Sequence, residues 1–247
     1  MKYKTASLYI DTLLDFLYPR NIYCIVCKKG IKKTQKYSLC KSCYEKIKFI
    51  DLCACEKCGK PLEKLYLPTK CPDCLKTEHI FTKAFSCVVY DDNMKQLVHR
   101  LKYGKERYIA YHMAEIMVDK LKKEGLSEID FVIPVPLHKR KERERGFNQA
   151  YLLAKYIGKA MDWNADRKNL VKIKETLSQN QLSKDERKKN LKNVFSVVSK
   201  DIYKGKTILM VDDVYTTGNT IDACSKEILK ASPKNIFVIS FATGKNT

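Results

Sequence analysis

Eight of the chain's 11 cysteines follow one spacing, used twice. Cys24-x2-Cys27 is followed by twelve residues and then Cys40-x2-Cys43; Cys55-x2-Cys58 is followed by twelve residues and then Cys71-x2-Cys74. Four thiolates in two close pairs suit tetrahedral Zn²⁺, and a set made wholly of cysteine leaves no open position for catalysis. Residues 19–80 are poor in aliphatic side chains, so they cannot build much of a core of their own. Two structural zinc ions are therefore expected to hold this stretch, each contributing about 10–16 kcal/mol of apparent folding free energy. Redox switching and an iron–sulfur cluster are the other chemistries such cysteines serve. Gly30 and Gly59 follow the first pair of each set, where a turn around the metal calls for small residues. The spacing leaves two points open: an interleaved pairing of the sets, and whether Cys53 replaces Cys55. Cys87 and Cys224 lie in apolar patterns and read as packed thiols.

Eleven cysteines in a secreted chain would suggest disulfides, but the start does not read as a secretory leader. Met1–Leu17 is apolar yet interrupted by Asp11 and Asp15, unlike a signal peptide. A cytoplasmic location is expected, where clustered cysteines serve as metal ligands. Residues 1–18 read as a short amphipathic helix, docked on the body or resting on the inner face of the membrane. No apolar run reaches the roughly 18 residues needed to cross a bilayer. With 247 residues and 45% hydrophobic content, the chain suits one ordinary domain and a smaller one. The expected division is 1–18, 19–82 and 83–247. A net charge of +20 favours polyanions, whether nucleic acid, anionic lipid or phosphorylated substrates, without choosing among them.

From Lys83 the pattern changes to alternating strands and helices. Strands are expected at Phe85–Tyr90, Phe131–Val135, Leu170–Ile173, Val194–Val198, Thr207–Val211 and Ile236–Phe241. Helices are expected at Met94–Tyr103, capped by Asp91–Asn93, at Tyr108–Lys123, from Gly146–Gln149 to about Met161, and at Ile221–Lys230. This alternation implies an α/β fold, a mostly parallel sheet flanked by helices. Ligands of such sheets bind beyond the carboxyl ends of the strands. The basic turn after Phe131–Val135 and the loop after Thr207–Val211 would both project from that edge. The polar stretch Thr176–Asn190 reads as a hood over the site or a surface loop, and the basic flank 166–206 could follow a nucleic-acid backbone.

The second of those edges carries the most specific chemistry. Asp212 and Asp213 stand where a buried strand should end. Thr216, Thr217, Gly218, Asn219 and Thr220 then lead into a helix. Small residues at a helix N-terminus offer hydroxyls and free amides to an anion. The carboxylates suit ribose hydroxyls or a Mg²⁺ ion beside them. Together the halves read as a cradle for a ribose 5-phosphate. Lys139, Arg140, Arg143 and Arg145 can gather around a polyphosphate, although Glu142 and Glu144 offset part of their charge. No G-x-x-x-x-G-K-[ST] or G-x-G-x-x-G motif occurs.

Residues 207–220 resemble the phosphoribosyl pyrophosphate (PRPP) motif of type I phosphoribosyltransferases, with Tyr215 in place of the usual aliphatic residue. The order of further segments extends the resemblance. Cysteine pairs, Leu101–Gly104, Pro134–His138, Arg145–Gln149, Gln179–Asn190 and Val211–Thr220 together resemble the competence protein F (ComF/ComFC) family, over residues 8 to 242. Lys139 departs from a frequent proline. The resemblance implies zinc ribbons joined to a type I phosphoribosyltransferase-like domain. Asp212 and Asp213 would be the catalytic pair on the ribose hydroxyls, and Thr216–Thr220 would hold the 5-phosphate. Mg²⁺ would come with PRPP. The family implies a role in natural transformation, handling incoming single-stranded DNA on the cytoplasmic side beside the competence helicase. Two other readings stand: a metabolic phosphoribosyltransferase acting on a small base, and a non-catalytic PRPP-sensing regulator.

Overall fold

A computed structural model describes residues 21–32, 35–51, 53–63, 69–175 and 193–244. The expected helix over 1–18 and the hood at Thr176–Asn190 lie outside the described residues. The chain divides into two compact units, Met1–Ile47 and Lys48–Thr247.

In the first unit the Cys24–Cys27 pair forms a tight turn. The Lys28 amide donates to the Cys24 carbonyl at 2.8 Å, and the Cys24 amide donates to the Lys29 carbonyl at 2.8 Å. Helix α1 (Lys41–Lys46) starts directly after Cys40, which sits at its N-cap. The second unit repeats the device. Gly59 donates to Cys55 at 2.9 Å, Cys55 donates to Lys60 at 2.8 Å, and helix α2 (Pro72–Lys76) starts after Cys71. Proline at its start is suited to a position whose amide would be unpaired anyway. The expected glycine rule holds for one turn alone. Gly59 has a φ of +70°, whereas the matching position of the first turn is Lys28, at +62°. Gly30 has open space around it. The difference is packing: a Cβ on Gly59 would lie 2.7 Å from the Ala84 carbonyl oxygen, so only glycine lets the second turn press on the sheet.

That sheet begins with β1 (Lys83–Val89) and contains β2 (Phe131–Pro134), β3 (Asn164–Ala165), β6 (Thr207–Tyr215) and β7 (Asn235–Thr243), in the order β1-β7-β6-β2-β3. Every pairing is parallel. Buried β-branched runs such as Ile236–Ile239 and Thr207–Val211 fit strands covered on both faces. Four helices connect them: α3 (Asp92–Tyr103), α4 (Ile109–Lys123), α6 (Gln149–Met161) and α7 (Asn219–Leu229). Their starts follow the capping chemistry. Asp91 accepts from the Met94 amide at 3.1 Å, and Asn148 accepts from Ala150 at 2.9 Å, as N-cap residues should.

Three sequence expectations change. The basic turn is a helix, α5 (Lys139–Arg145), capped by His138 and ended by Gly146 in the left-handed conformation. Strands β4 (Leu170–Lys172) and β5 (Phe195–Val197) form a separate antiparallel pair. They are short and bury one residue each at the start, and Asn169 closes the pair by bonding both the amide and the carbonyl of Ser199. Strand β6 also runs past its expected end. β2 stops at Pro134, opposite Val211, but β7 continues to pair through Tyr215.

Candidate functional site

Each cysteine set gathers its four Sγ atoms within 4.8 Å of one another: Cys24, Cys27, Cys40 and Cys43 in one, Cys55, Cys58, Cys71 and Cys74 in the other. Pairs are therefore not interleaved, and Cys55 rather than exposed Cys53 completes the second set. Sulfurs on a zinc tetrahedron with bonds of about 2.3 Å would be roughly 3.8 Å apart. Cys27 and Cys40 are 3.7 Å apart and Cys58 and Cys71 3.6 Å. The thiols need a cation. The hydrogen bond from Cys58 brings Cys55 down to about 4 against the effect of burial, and the same bond drives Cys58 upward. Burial pushes Cys74 up to about 12. A second thiolate beside the first is unfavourable unless a divalent ion compensates both. The donor set is consistent with two structural zinc ions. Cys87 and Cys224 are buried and belong to neither set.

The acidic pair lies where β6 has lost its β2 neighbour. Successive strand residues point to opposite faces, so the two carboxylates have different surroundings. Asp213 is 2% exposed. Its Oδ2 is 2.5 Å from the Lys102 Nζ, and its Oδ1 accepts from the Gln149 side-chain Nε2 at 3.0 Å. Burial works to raise its pKa, but the Lys102 charge and the bonds from Lys102 and Gln149 outweigh burial and hold it below the usual carboxylate range. Asp212 is half-buried, and its Oδ1 accepts from the Asp213 amide at 2.9 Å. Burial and the neighbouring Asp213 charge push its pKa well above the usual value. Environments that separate two carboxyl pKa values in this way give the two groups different chemical roles. Asp213 is a fixed, paired anion. Asp212 is the more open of the two.

Three residues, Thr216 to Gly218, separate β6 from α7; Asn219 and Thr220 lie in the first helical turn. Gly218 is the N-cap, at φ +82°, and carries no side chain to cap the first amides. A Cβ there would overlap the Tyr215 hydroxyl. The Thr217 Oγ1 is buried and has no hydrogen-bond partner. A buried unmade hydrogen bond costs about 1–3 kcal/mol, so this hydroxyl fits a place where a ligand oxygen completes it.

Of the four expected basic residues, Arg145 reaches the surroundings of the pair. It donates to the Gln149 side chain, and its guanidinium lies 5.0 Å over the Tyr103 ring. Arg140 bonds Glu144 and Glu175 instead, and Lys139 and Arg143 are exposed on α5. Lys102 and Gln149 are the site residues that motif reading did not assign. Both stood in quoted segments, and the signal for them was chemical: a buried carboxylate demands a cation and a donor.

The comparisons with known proteins agree with this architecture. A double zinc ribbon domain matches residues 13–79, and a phosphoribosyl transferase domain matches residues 144–246. Competence protein F of Haemophilus influenzae is 33% identical over 228 residues, 90% of this chain and 97% of that one. DNA utilization protein YhgH of Salmonella typhimurium is 29% identical over 84% of each chain. Competence protein ComFC of Bacillus subtilis is 26% identical over 78% of each. Among solved structures, TT1426 from Thermus thermophilus matches 56% of this chain and 85% of its own at 12% identity, with a TM-score of 0.35, a likeness too slight to bear on function. Near-complete coverage at this identity makes the chain, with its zinc ribbon and phosphoribosyl transferase domains, a member of the competence protein F (ComF/ComFC) family.

Proposed function

We propose that the chain acts in DNA uptake and that its phosphoribosyltransferase-type domain binds PRPP at the end of β6. The observation that carries the reading is the buried Thr217 hydroxyl without a partner, in a loop that follows the acidic pair and opens an uncapped helix. Thr216–Thr220 hold the 5-phosphate. Asp212 takes the ribose hydroxyls. Mg²⁺ arrives with PRPP, and Asp212, the less buried carboxylate, suits it better than Asp213, which Lys102 and Gln149 already engage. Arg145 faces the pyrophosphate, and Lys139, Arg140 and Arg143 extend the positive field on α5.

The names of the relatives, competence protein and DNA utilization protein, support DNA as the polyanion that a net charge of +20 attracts, and the family resemblance makes it the incoming single strand. The resemblance adds a cytoplasmic site of action beside the competence helicase, at the inner face of the membrane. Among the described residues no helix is long and apolar enough to cross a membrane.

The test is to load the protein with PRPP and Mg²⁺ and follow pyrophosphate on adding single-stranded DNA or free bases. PRPP binding, with any release confined to DNA, is the expected result. Release with a small free base would replace this reading with a metabolic transferase. Failure of PRPP to bind would remove it.

A further inference from the structure

The phosphate loop is held from outside its own motif. Gly218 is wedged between two side chains: a Cβ there would overlap the Tyr215 hydroxyl and meet the His79 Cε1 at 2.8 Å. Tyr215 and His79 are 2% and 5% exposed. Nδ1 of His79 is 2.7 Å from Oδ2 of Asp222, in the first turn of α7. The other oxygen of Asp222 accepts from the Ile80 amide at 3.0 Å. A carboxylate only accepts, so Nδ1 carries the hydrogen, and Nε2 is left to face the Tyr215 hydroxyl at 3.4 Å. A three-member chain thus runs from the end of β6, through His79, to the start of α7, and brackets Thr216–Gly218.

His79 comes from the second cysteine unit. It follows α2, which carries Cys74, and it stacks on fully buried Phe81 with ring centroids 5.0 Å apart. The Cys55–Cys58 turn grips the same segment. The Lys57 ammonium donates to the Phe81 carbonyl, and the Ala84 amide donates to the Lys57 carbonyl at 2.8 Å. Cys55, Cys58, Cys71, Phe81, Tyr215 and Ile221 share one buried cluster.

We infer that His79 is a positioning residue for the phosphate loop, fixing it through Asp222 and Tyr215 from a segment that the second cysteine centre anchors. The inference rests on the PRPP reading and adds to it a residue outside the motif. His79→Ala is predicted to keep its zinc and to weaken ribose 5-phosphate binding by about ten-fold, the loss of a buried bond to a charged acceptor. Calorimetry well below the unfolding temperature reads the affinity, and metal analysis reads the zinc. Hydrogen exchange separates positioning from general destabilisation: amides 216–221 should exchange faster, with β6 and β7 unchanged. If His79→Ala does not fold, Asp222→Ala cuts the same link from the helix side and is read in the same way. Unchanged affinity, or faster exchange spread evenly over the sheet, overturns the inference. Absence of ribose 5-phosphate binding in the unaltered protein instead overturns the PRPP reading.

Discussion

Lys102→Met is the perturbation whose size follows most directly from the structure. The Lys102 side chain is 23% exposed and its Asp213 partner 3% exposed, at 2.5 Å. Removing one member of a buried ion pair costs about 3–5 kcal/mol, because the other charge stays behind uncompensated. Gln149 still donates to Asp213, so the lower end, about 3 kcal/mol, is expected at neutral pH. The pH dependence has a definite sign. In the unaltered protein the pKa of Asp213 is depressed in the folded state, so its contribution is present above the unfolded value of about 3.9 and is lost as pH falls through the lower folded value. Lys102 is raised despite burial, through Asp213, so its contribution is present below the unfolded value of about 10.4 and is lost as pH rises through the folded one. Without Lys102, burial and Asp212 act on Asp213 unopposed, and the acidic pair takes up a proton at higher pH than before. The stability gap between variant and parent should therefore narrow as pH falls from neutral toward acid. Urea unfolding at several pH values measures it. Adding Asp213→Asn to the variant should restore most of the loss. A loss under about 1 kcal/mol, the range of exposed pairs, or a gap constant with pH, would refute the argument.

Asp212→Asn should raise stability at neutral pH. The carboxyl of Asp212 is pushed up by burial and by Asp213, so the folded state gains stability as pH falls through that raised value, and a neutral amide supplies the gain at pH 7. The melting temperature should rise at pH 7, and the gain should disappear toward acid; a drop at pH 7 would contradict it. Cys55→Ser should lose one of two zinc ions by metal analysis, whereas Cys53→Ser should keep both, because only Cys55 lies in the second set. Gly59→Ala, at φ +70° and with a Cβ 2.7 Å from a backbone oxygen, should cost more than about 1 kcal/mol in urea unfolding.

Local patterns were legible in the sequence. The capped start of α3 at Asp91, the buried run Thr207–Val211, the acidic pair and the two cysteine sets all depend on residues close along the chain, and the structure carries each of them. Longer-range features were not. β6 runs on to Tyr215 because β7 continues beside it, and nothing in residues 212–215 announces that neighbour. Lys102 meets Asp213 from α3, and Gln149 reaches it across 64 positions. His79 meets Asp222 across 143. Periodicity has no means of encoding such pairings. The double ribbon was legible from the duplicate spacing, and a double zinc ribbon domain matches residues 13–79, but the close approach of the second cysteine turn to Ala84 was not. The difference between Gly59 and Lys28 at the matching turn was the local trace of that packing.

The central claim is that the end of β6 grips PRPP, with Asp212 on the sugar and Thr217 on the phosphate. Calorimetric titration with PRPP and Mg²⁺, of the unaltered protein, Asp212→Asn and Thr217→Val, tests it most directly. Neither change breaks packing, since Asn keeps the acceptor for the Asp213 amide and Val fills the place of an unpartnered hydroxyl. The account predicts binding in the first protein and a loss of about ten-fold or more in each variant, with zinc content unchanged. Equal affinity in all three proteins would contradict it.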